Sequence, residues 1–374
     1  MNKPLKKISV CQPTLTGKEW PYVKDCLDTN WISSNGKYIE KFEKNFSRFC
    51  GVKFGISCTS GTTALHLALA AAGIKKGDEV IIPSFTIISV PNAVLWTGAK
   101  PVLVDSELAT GNIDADKIEE KITKKTKAII PVHIYGHPCE MGKITALAKK
   151  YKLIVIEDCA EAHGAAYKGR KVGSLGDLGC FSFYTNKIIT TGEGGMVITN
   201  NGKYAQKLRL LKNLAFIKPR FVHQEIGFNY RLTNIAAAIG VAQLEKISQF
   251  IAARRKNAKL YNQRLKKING ILPPVEKKYV KNVYWMYAIR LAKNFPLTKD
   301  ELMDKLASRG IETRSFFYPM HLQPIFKKMG LFKKEKYPIS EILYQTGLYL
   351  PSASNLTVKE IKKVVAVIET LAKE

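Results

Sequence analysis

Leu153-Ile154-Val155-Ile156-Glu157-Asp158 is a short apolar run closed by two carboxylates. Unbroken apolar character over four residues suits a strand buried on both faces of a parallel sheet. The acids then fall at its C-terminal edge, where such sheets gather their ligands. Outward from it, Val80-Ile81-Ile82, Pro101-Val102-Leu103-Val104, Ala128-Ile129-Ile130, residues 180–184 and Met196-Val197-Ile198 repeat the pattern, mostly separated by helical or loop stretches. Such alternation predicts an α/β fold, a largely parallel sheet sandwiched by helices. At 374 residues the chain exceeds the ~250–300 at which single cores tend to split, and 46% apolar content excludes general disorder. A long helical pattern over 234–268 is broken by Pro273-Pro274. The expected boundary lies inside that helix near Gln249. It separates a large unit with an N-terminal arm, 1–249, from a smaller α+β unit, 250–374, that ends in an amphipathic helix over 358–372.

Lys187 lies just past Gly179-Cys180-Phe181-Ser182-Phe183-Tyr184 and just before Gly192, Gly194 and Gly195. A lysine after a strand is ordinarily a solvated surface residue, and a strand-terminal aspartate ordinarily a cap or turn former. A third element changes the weighing: Cys58-Thr59-Ser60-Gly61-Thr62-Thr63-Ala64-Leu65 leads into an alanine-rich stretch over 64–72. Thr59 or Ser60 can cap a helix there, Gly61 lets the backbone approach a ligand, and the first-turn N–H groups suit a phosphate dianion. An ordinary capped helix favours the same residues. Together the three elements meet the needs of pyridoxal phosphate. A carboxylate keeps the ring nitrogen protonated, a lysine amine holds C4′ as a Schiff base, and backbone amides surround the phosphate. Lys187 and Asp158 are the candidate catalytic pair.

Six runs covering nearly the whole chain in fixed order resemble the sugar-nucleotide aminotransferases of the DegT/DnrJ/EryC1/StrS family. They are SGTTALHLAL from Ser60, GDEVIIPSFT from Gly77, EDCAEAHGA from Glu157, GDLGCFSFYTNK from Gly176, TGEGGMV from Thr191 and GFNYRLTNIAAAIG from Gly227. CLDTNWISSNGKYIEKFE from Cys26, NKIITTGEGGM from Asn186 and FYPMH from Phe317 are similar to the branch that aminates C4 of GDP-4-keto-6-deoxymannose to GDP-perosamine. The resemblance implies the fold-type I, aspartate aminotransferase-like architecture and a set of roles. Lys187 would hold pyridoxal phosphate, Asp158 would pair with the pyridine nitrogen, and Glu161 would lie near the 3′ oxygen. Ser182, Gly61 and Thr62 would bind the cofactor phosphate, with Ser60 among the cofactor contacts, and Asn229 would reach the phosphate of the neighbouring subunit's cofactor, making the site a property of a homodimer. His163 would either orient or stack near the ring or be a satisfied structural histidine. Where many members place a ring-stacking aromatic, this chain has Ile87; where many have Gln, it has Glu161, as in perosamine-type enzymes. Arg231, Arg314, Tyr318 and His321 are candidate contacts to the substrate's phosphates or sugar. Related dehydratases carry histidine in place of the lysine, so Lys187 favours transamination, with glutamate as the implied donor.

The net charge of +28, from 59 Lys plus Arg against 31 Asp plus Glu, raises a nucleic-acid partner as a competing reading. The lysines are scattered in short groups such as Lys124-Lys125 and Lys277-Lys278 with no nucleic-acid-binding motif, so a solvated basic surface that helps capture a diphosphate is expected instead. His133 and His137 are four apart, but Pro138 follows and the rings need not share a face; no metal site is expected. The seven cysteines have no C-x-x-C pair, and the basic first ten residues lack an apolar h-region, which points to reduced thiols and a cytoplasmic setting. No apolar run approaches the ~18 residues of a membrane span. The expected enzyme is thus an aminotransferase acting on a nucleotide-diphosphate sugar, GDP-linked first and dTDP- or UDP-linked as alternatives. A dehydratase of the same fold and a non-catalytic nucleic-acid-binding regulator are the competitors.

Overall fold

The computed structural model describes residues 7–219 and 221–373; residues 1–6, at the basic start of the chain, lie outside them. The chain opens with α1 (Glu19–Asp28), α2 (Lys37–Cys50), β1 (Phe54–Cys58), α3 (Gly61–Ala71), β2 (Glu79–Pro83), α4 (Ser89–Trp96) and β3 (Lys100–Val104). It continues with β4 (Thr126–Ile129), α5 (Met141–Tyr151), β5 (Ile154–Asp158), β6 (Ala166–Tyr167), β7 (Arg170–Lys171), β8 (Leu178–Ser182), β9 (Gly195–Thr199) and α6 (Gly202–Lys212). After the long α7 (Asn234–Leu265) come β10 (Ile271–Leu272), β11 (Val280–Lys281), β12 (Tyr287–Leu291), α8 (Lys299–Ser308) and β13 (Arg314–Ser315). The chain closes with α9 (Pro324–Lys328), α10 (Pro338–Thr346), β14 (Gly347–Leu350) and α11 (Val358–Leu371).

Seven strands form the large sheet in the order β1-β9-β8-β5-β4-β2-β3. β8, β5, β4, β2 and β3 pair in parallel, while β9 runs antiparallel to both β8 and β1. All six apolar runs read as strands are present, although β8 stops at Ser182, short of the expected Tyr184. β1 escaped the reading because Gly55 and Ser57 interrupt its apolar character. The glycine is required by α2, which passes so close that a Cβ at position 55 would sit 2.7 Å from the Glu43 carbonyl oxygen.

α2 turns Phe42 and Phe46 onto the sheet, where they meet Phe181 and Phe183 edge-on with centroids 4.9–5.1 Å apart. α7 packs on α1 and α2; at Gly240 a Cβ would lie 2.8 Å from the Phe42 ring, so the helix approaches as closely as glycine permits. By length and composition α7 could cross a membrane, but the residues it buries, among them Ala237, Ala238 and Val241, face other helices of this protein. The same helix serves two cores: Ile247, Phe250 and Ile251 join the large one, and Ala258, Tyr261 and Leu265 a second, C-terminal one. That second core lies on the antiparallel sheet β10-β12-β14-β13. α11 closes it with Ile361, Val364, Val365, Ile368 and Leu371, one face of a helix started by the Thr357–Glu360 capping box.

Candidate active site

β1, β5 and β8 point the same way, so their carboxyl ends open on one edge of the sheet, and each delivers part of a cleft of about 430 Å³. α3 begins three residues after β1; its N-cap Ser60 forms a reciprocal capping box with Thr63. The N–H groups of Gly61 and Thr62, in the first turn, have no acceptor within the helix and face the cleft. Ser182 closes β8 beside them. A Cβ on Gly61 would stand 2.6 Å from the Ser182 Cβ, so only glycine allows the helix start and the strand end to converge on one ligand. Thr62 donates its hydroxyl to Ser89 at 2.9 Å, at the start of α4.

The two acids that close β5 part ways because successive strand residues face opposite sides. Glu157 is fully buried and accepts from the N–H groups of Gly173, Leu175 and Gly176 at 2.7–2.9 Å, and from His133 Nε2 at 3.0 Å. His133 Nδ1 in turn accepts from the Cys139 N–H, so both ring nitrogens are used and neither offers a metal a lone pair. Cys159 completes this buried group, whose bonds make it a structural brace. Asp158 lines the cleft. One of its oxygens accepts from the Ala160 N–H at 3.0 Å, and the other has no partner among the described residues. Burial raises its pKa, opposed by that N–H and by the Lys187 charge.

Lys187 places Nζ 3.8 Å from the Trp285 ring centroid, and Trp285 is itself fixed by donating its indole N–H to the Asn186 carbonyl at 2.8 Å. Burial lowers the Lys187 pKa, opposed by the Glu161 and Asp158 carboxylates, which brings the amine nearer to its nucleophilic, neutral form. Glu161 accepts the Tyr135 N–H at 2.7 Å, and burial pushes its pKa up to about 7 against the Lys187 charge and that hydrogen bond. Tyr135 holds this position from the left-handed region at φ 52°.

The structure thus brings Lys187, Asp158, Glu161, Ser182, Ser60, Gly61, Thr62 and Ile87 together in one cleft. The aromatic walls come instead from Tyr184, Trp285, Phe317 and Tyr349; Tyr184 and Phe317 fall in family-like runs that assigned them no such role, and no motif marked Trp285 or Tyr349. Phe85 is fully buried, within 5.6–6.2 Å of the rings of Tyr135, Phe316 and Phe317. His163 lies behind the cleft among Phe46, Phe181 and Phe183. Neither ring nitrogen makes a hydrogen bond of good geometry, the Ser182 backbone being near enough only to favour its protonation weakly, and burial drags its pKa down to about 3. Asn229 accepts from Arg231 at 3.0 Å, and Arg231 lines a different cleft with Arg209, Lys212 and Asn213. Arg314 is exposed beside Glu312, and Tyr318 stands edge-on to Tyr344. His321 is engaged on both sides, by Ser84 at 2.9 Å and Glu341 at 3.0 Å. None of these last five lines the cofactor cleft of its own chain.

These observations fit pyridoxal phosphate: a carboxylate oxygen free for a pyridinium N–H, a lysine of lowered basicity facing it, and a glycine-permitted phosphate cradle of hydroxyl and free N–H groups. The sequence profile of the DegT/DnrJ/EryC1/StrS aminotransferase family matches residues 13–369. Over 367 residues the chain is 47% identical to the GDP-perosamine synthase of Caulobacter vibrioides, covering 98% of each protein. Over 361 residues it is 47% identical to that of Escherichia coli O157:H7, covering 96% of each. Among solved structures, S. venezuelae DesV in complex with a ketimine intermediate matches with a TM-score of 0.90 at 32% identity, over 96% of this chain and 95% of that one.

Proposed function

We propose that this chain, which belongs to the DegT/DnrJ/EryC1/StrS aminotransferase family, transfers an amino group from glutamate to C4 of GDP-4-keto-6-deoxymannose, yielding GDP-perosamine. It is a pyridoxal phosphate-dependent aminotransferase of fold type I. The observation that carries the choice of sugar is the near-full-length likeness to two GDP-perosamine synthases at 47% identity.

When bound, pyridoxal phosphate supplies a carbonyl that captures amines and a ring that takes up the electron pair of a breaking C–H bond. The residues of this chain do the rest. Asp158 offers its free oxygen to the protonated ring nitrogen, keeping the ring electron-poor where charge develops. Lys187 would hold the cofactor through its amine; once that amine is free, its Nζ would take a proton from the donor carbon and, in the second half, return one to the sugar carbon. Glu161, fixed by the Tyr135 N–H, would share a proton with the 3′ oxygen of the bound cofactor. Ser182 and the N–H groups of Gly61 and Thr62, which line the cleft, would hold the phosphate, while Trp285, Phe317 and Tyr349, which also line it, would exclude water from the reacting atoms.

The same reading makes the enzyme a cytoplasmic homodimer with Asn229 supplied in trans, its substrate-facing Arg231, Arg314, Tyr318 and His321 completing sites with the partner or on closure. It divides the chain at Gln249, in support of which α7 passes from one core to the other just beyond that residue. No nucleic acid or membrane enters the proposal. Purified enzyme with pyridoxal phosphate and glutamate should release 2-oxoglutarate fastest with GDP-4-keto-6-deoxymannose, and the product mass should show one ketone replaced by an amine. Faster turnover of a dTDP- or UDP-linked 4-keto-6-deoxy sugar would overturn the choice of acceptor.

A further inference from the structure

A second cavity, of about 150 Å³, lies between the large sheet and the C-terminal part, lined by residues 85–137 on one side and 272–343 on the other. Its walls are mostly apolar, with Phe85, Ile134, Leu272, Met286, Phe316 and Leu343 among them. Tyr135 separates it from the cofactor cleft: the side chain lines the cavity and stacks at 5.5 Å on Phe317, which lines the cleft.

Arg290, on β12, is the one charged side chain among the lining residues. It is half-buried, and its guanidinium makes no hydrogen bond or ion pair among the described residues. The buried Arg254 and the half-buried Arg255 behave differently. Arg254 donates to Ser354 and to the carbonyls of Trp285 and Ser352, and Arg255 pairs with Glu276. Burial lowers the Arg290 pKa, with nothing opposing it. A partly desolvated cation whose donors meet only solvent gains from a counter-charge placed in the cavity beside it, and its planar fork matches a carboxylate or a phosphate. A cavity of this volume with apolar walls accepts a body the size of benzene.

We propose that this cavity binds a small anion, a carboxylate or phosphate on an apolar body of benzene size, with Arg290 as its counter-ion, at a site separate from the cofactor cleft. Isothermal titration of the cofactor-loaded enzyme with benzoate, phenyl phosphate and the uncharged benzamide tests it. One site per chain is expected for benzoate or phenyl phosphate, and none for benzamide; whichever anion binds more tightly identifies the acid group. The visible spectrum of the cofactor should not change on binding. Arg290→Gln should weaken binding by at least about tenfold. It should leave the melting temperature unchanged or raised, because no partner is lost. Ala288→Met, which fills the same cavity and leaves the charge in place, should weaken binding as well. The proposal is overturned if neither anion binds, if either variant binds as tightly as the wild type, if the cofactor spectrum reports the binding, or if Arg290→Gln melts markedly lower, which would reveal a structural partner.

Discussion

Replacing Glu161 by Gln should stabilise the cofactor-free protein in a pH-dependent way. The carboxyl titrates at about 7 in the folded protein against an ordinary 4.5, chiefly because it is buried. A carboxyl with a raised folded pKa is unstrained while neutral, so its full stability is present below pH 4.5 and is lost as pH rises through 7. The difference of 2.5 units between the two values, at ~1.4 kcal/mol each, gives a loss of about 3 kcal/mol by pH 8. Gln has nearly the same shape, can still accept the Tyr135 N–H, and does not titrate. Asp158, His163 and Lys187 remain in both proteins, so their own titrations largely cancel in the comparison. Urea unfolding of the two proteins at pH 4.5, 6, 7 and 8 should therefore show near-equal stability at the acid end, with the variant ahead by about 2–3 kcal/mol at pH 8. A difference that stays constant across this range would mean that Glu161 is not a strained acid, and the account of its burial would fail.

Lys187→Ala should cut turnover by at least about 10²- to 10⁴-fold without lowering the melting temperature, since it removes a desolvated amine; activity within about tenfold of wild type would refute the catalytic role. His163→Leu should soften acid unfolding, because a histidine held down at about 3 favours the unfolded state progressively as pH falls below 6.5; melting curves between pH 4 and 7 that shift in parallel for both proteins would contradict this. Mixing Lys187→Ala with an inactive Asn229→Ala protein under conditions of proven subunit exchange should restore part of the activity, because a mixed dimer holds one site with both residues; no recovery would place Asn229 outside the partner's site.

Much of the fold was legible because burial in a parallel sheet imposes a local pattern: unbroken apolar runs closed by the residues that meet the ligand. The strand at Ile154–Asp158, the cap at Ser60 and the helices starting at Asn234 and Val358 each depend on neighbours a few residues away. β1 was missed because Gly55 and Ser57 break its apolar run, and the glycine is needed for a reason outside the strand, the passage of α2 over it. The turn proposed to cradle the phosphate was legible for the same local reason as α3, whose first-turn groups need only a cap and a glycine to be exposed.

Lys187, the acids at the end of β5 and the turn at Gly61 were thus determined by the sequence alone, through residue type and spacing. Asp158 was already singled out over Glu157 in the sequence, but the physical reason appears only in three dimensions, where Glu157 is claimed by the backbone of 173–176 and by His133 while Asp158 keeps a free oxygen. Trp285, Phe317 and Tyr349 reach the cleft from about a hundred residues or more beyond Lys187, carried by the packing of the C-terminal sheet. Arg290 looks like any strand arginine until its surroundings prove to contain no acid. Local sequence records backbone preference and face; desolvation, partner choice and vacancy are properties of the neighbours that only the folded chain assembles.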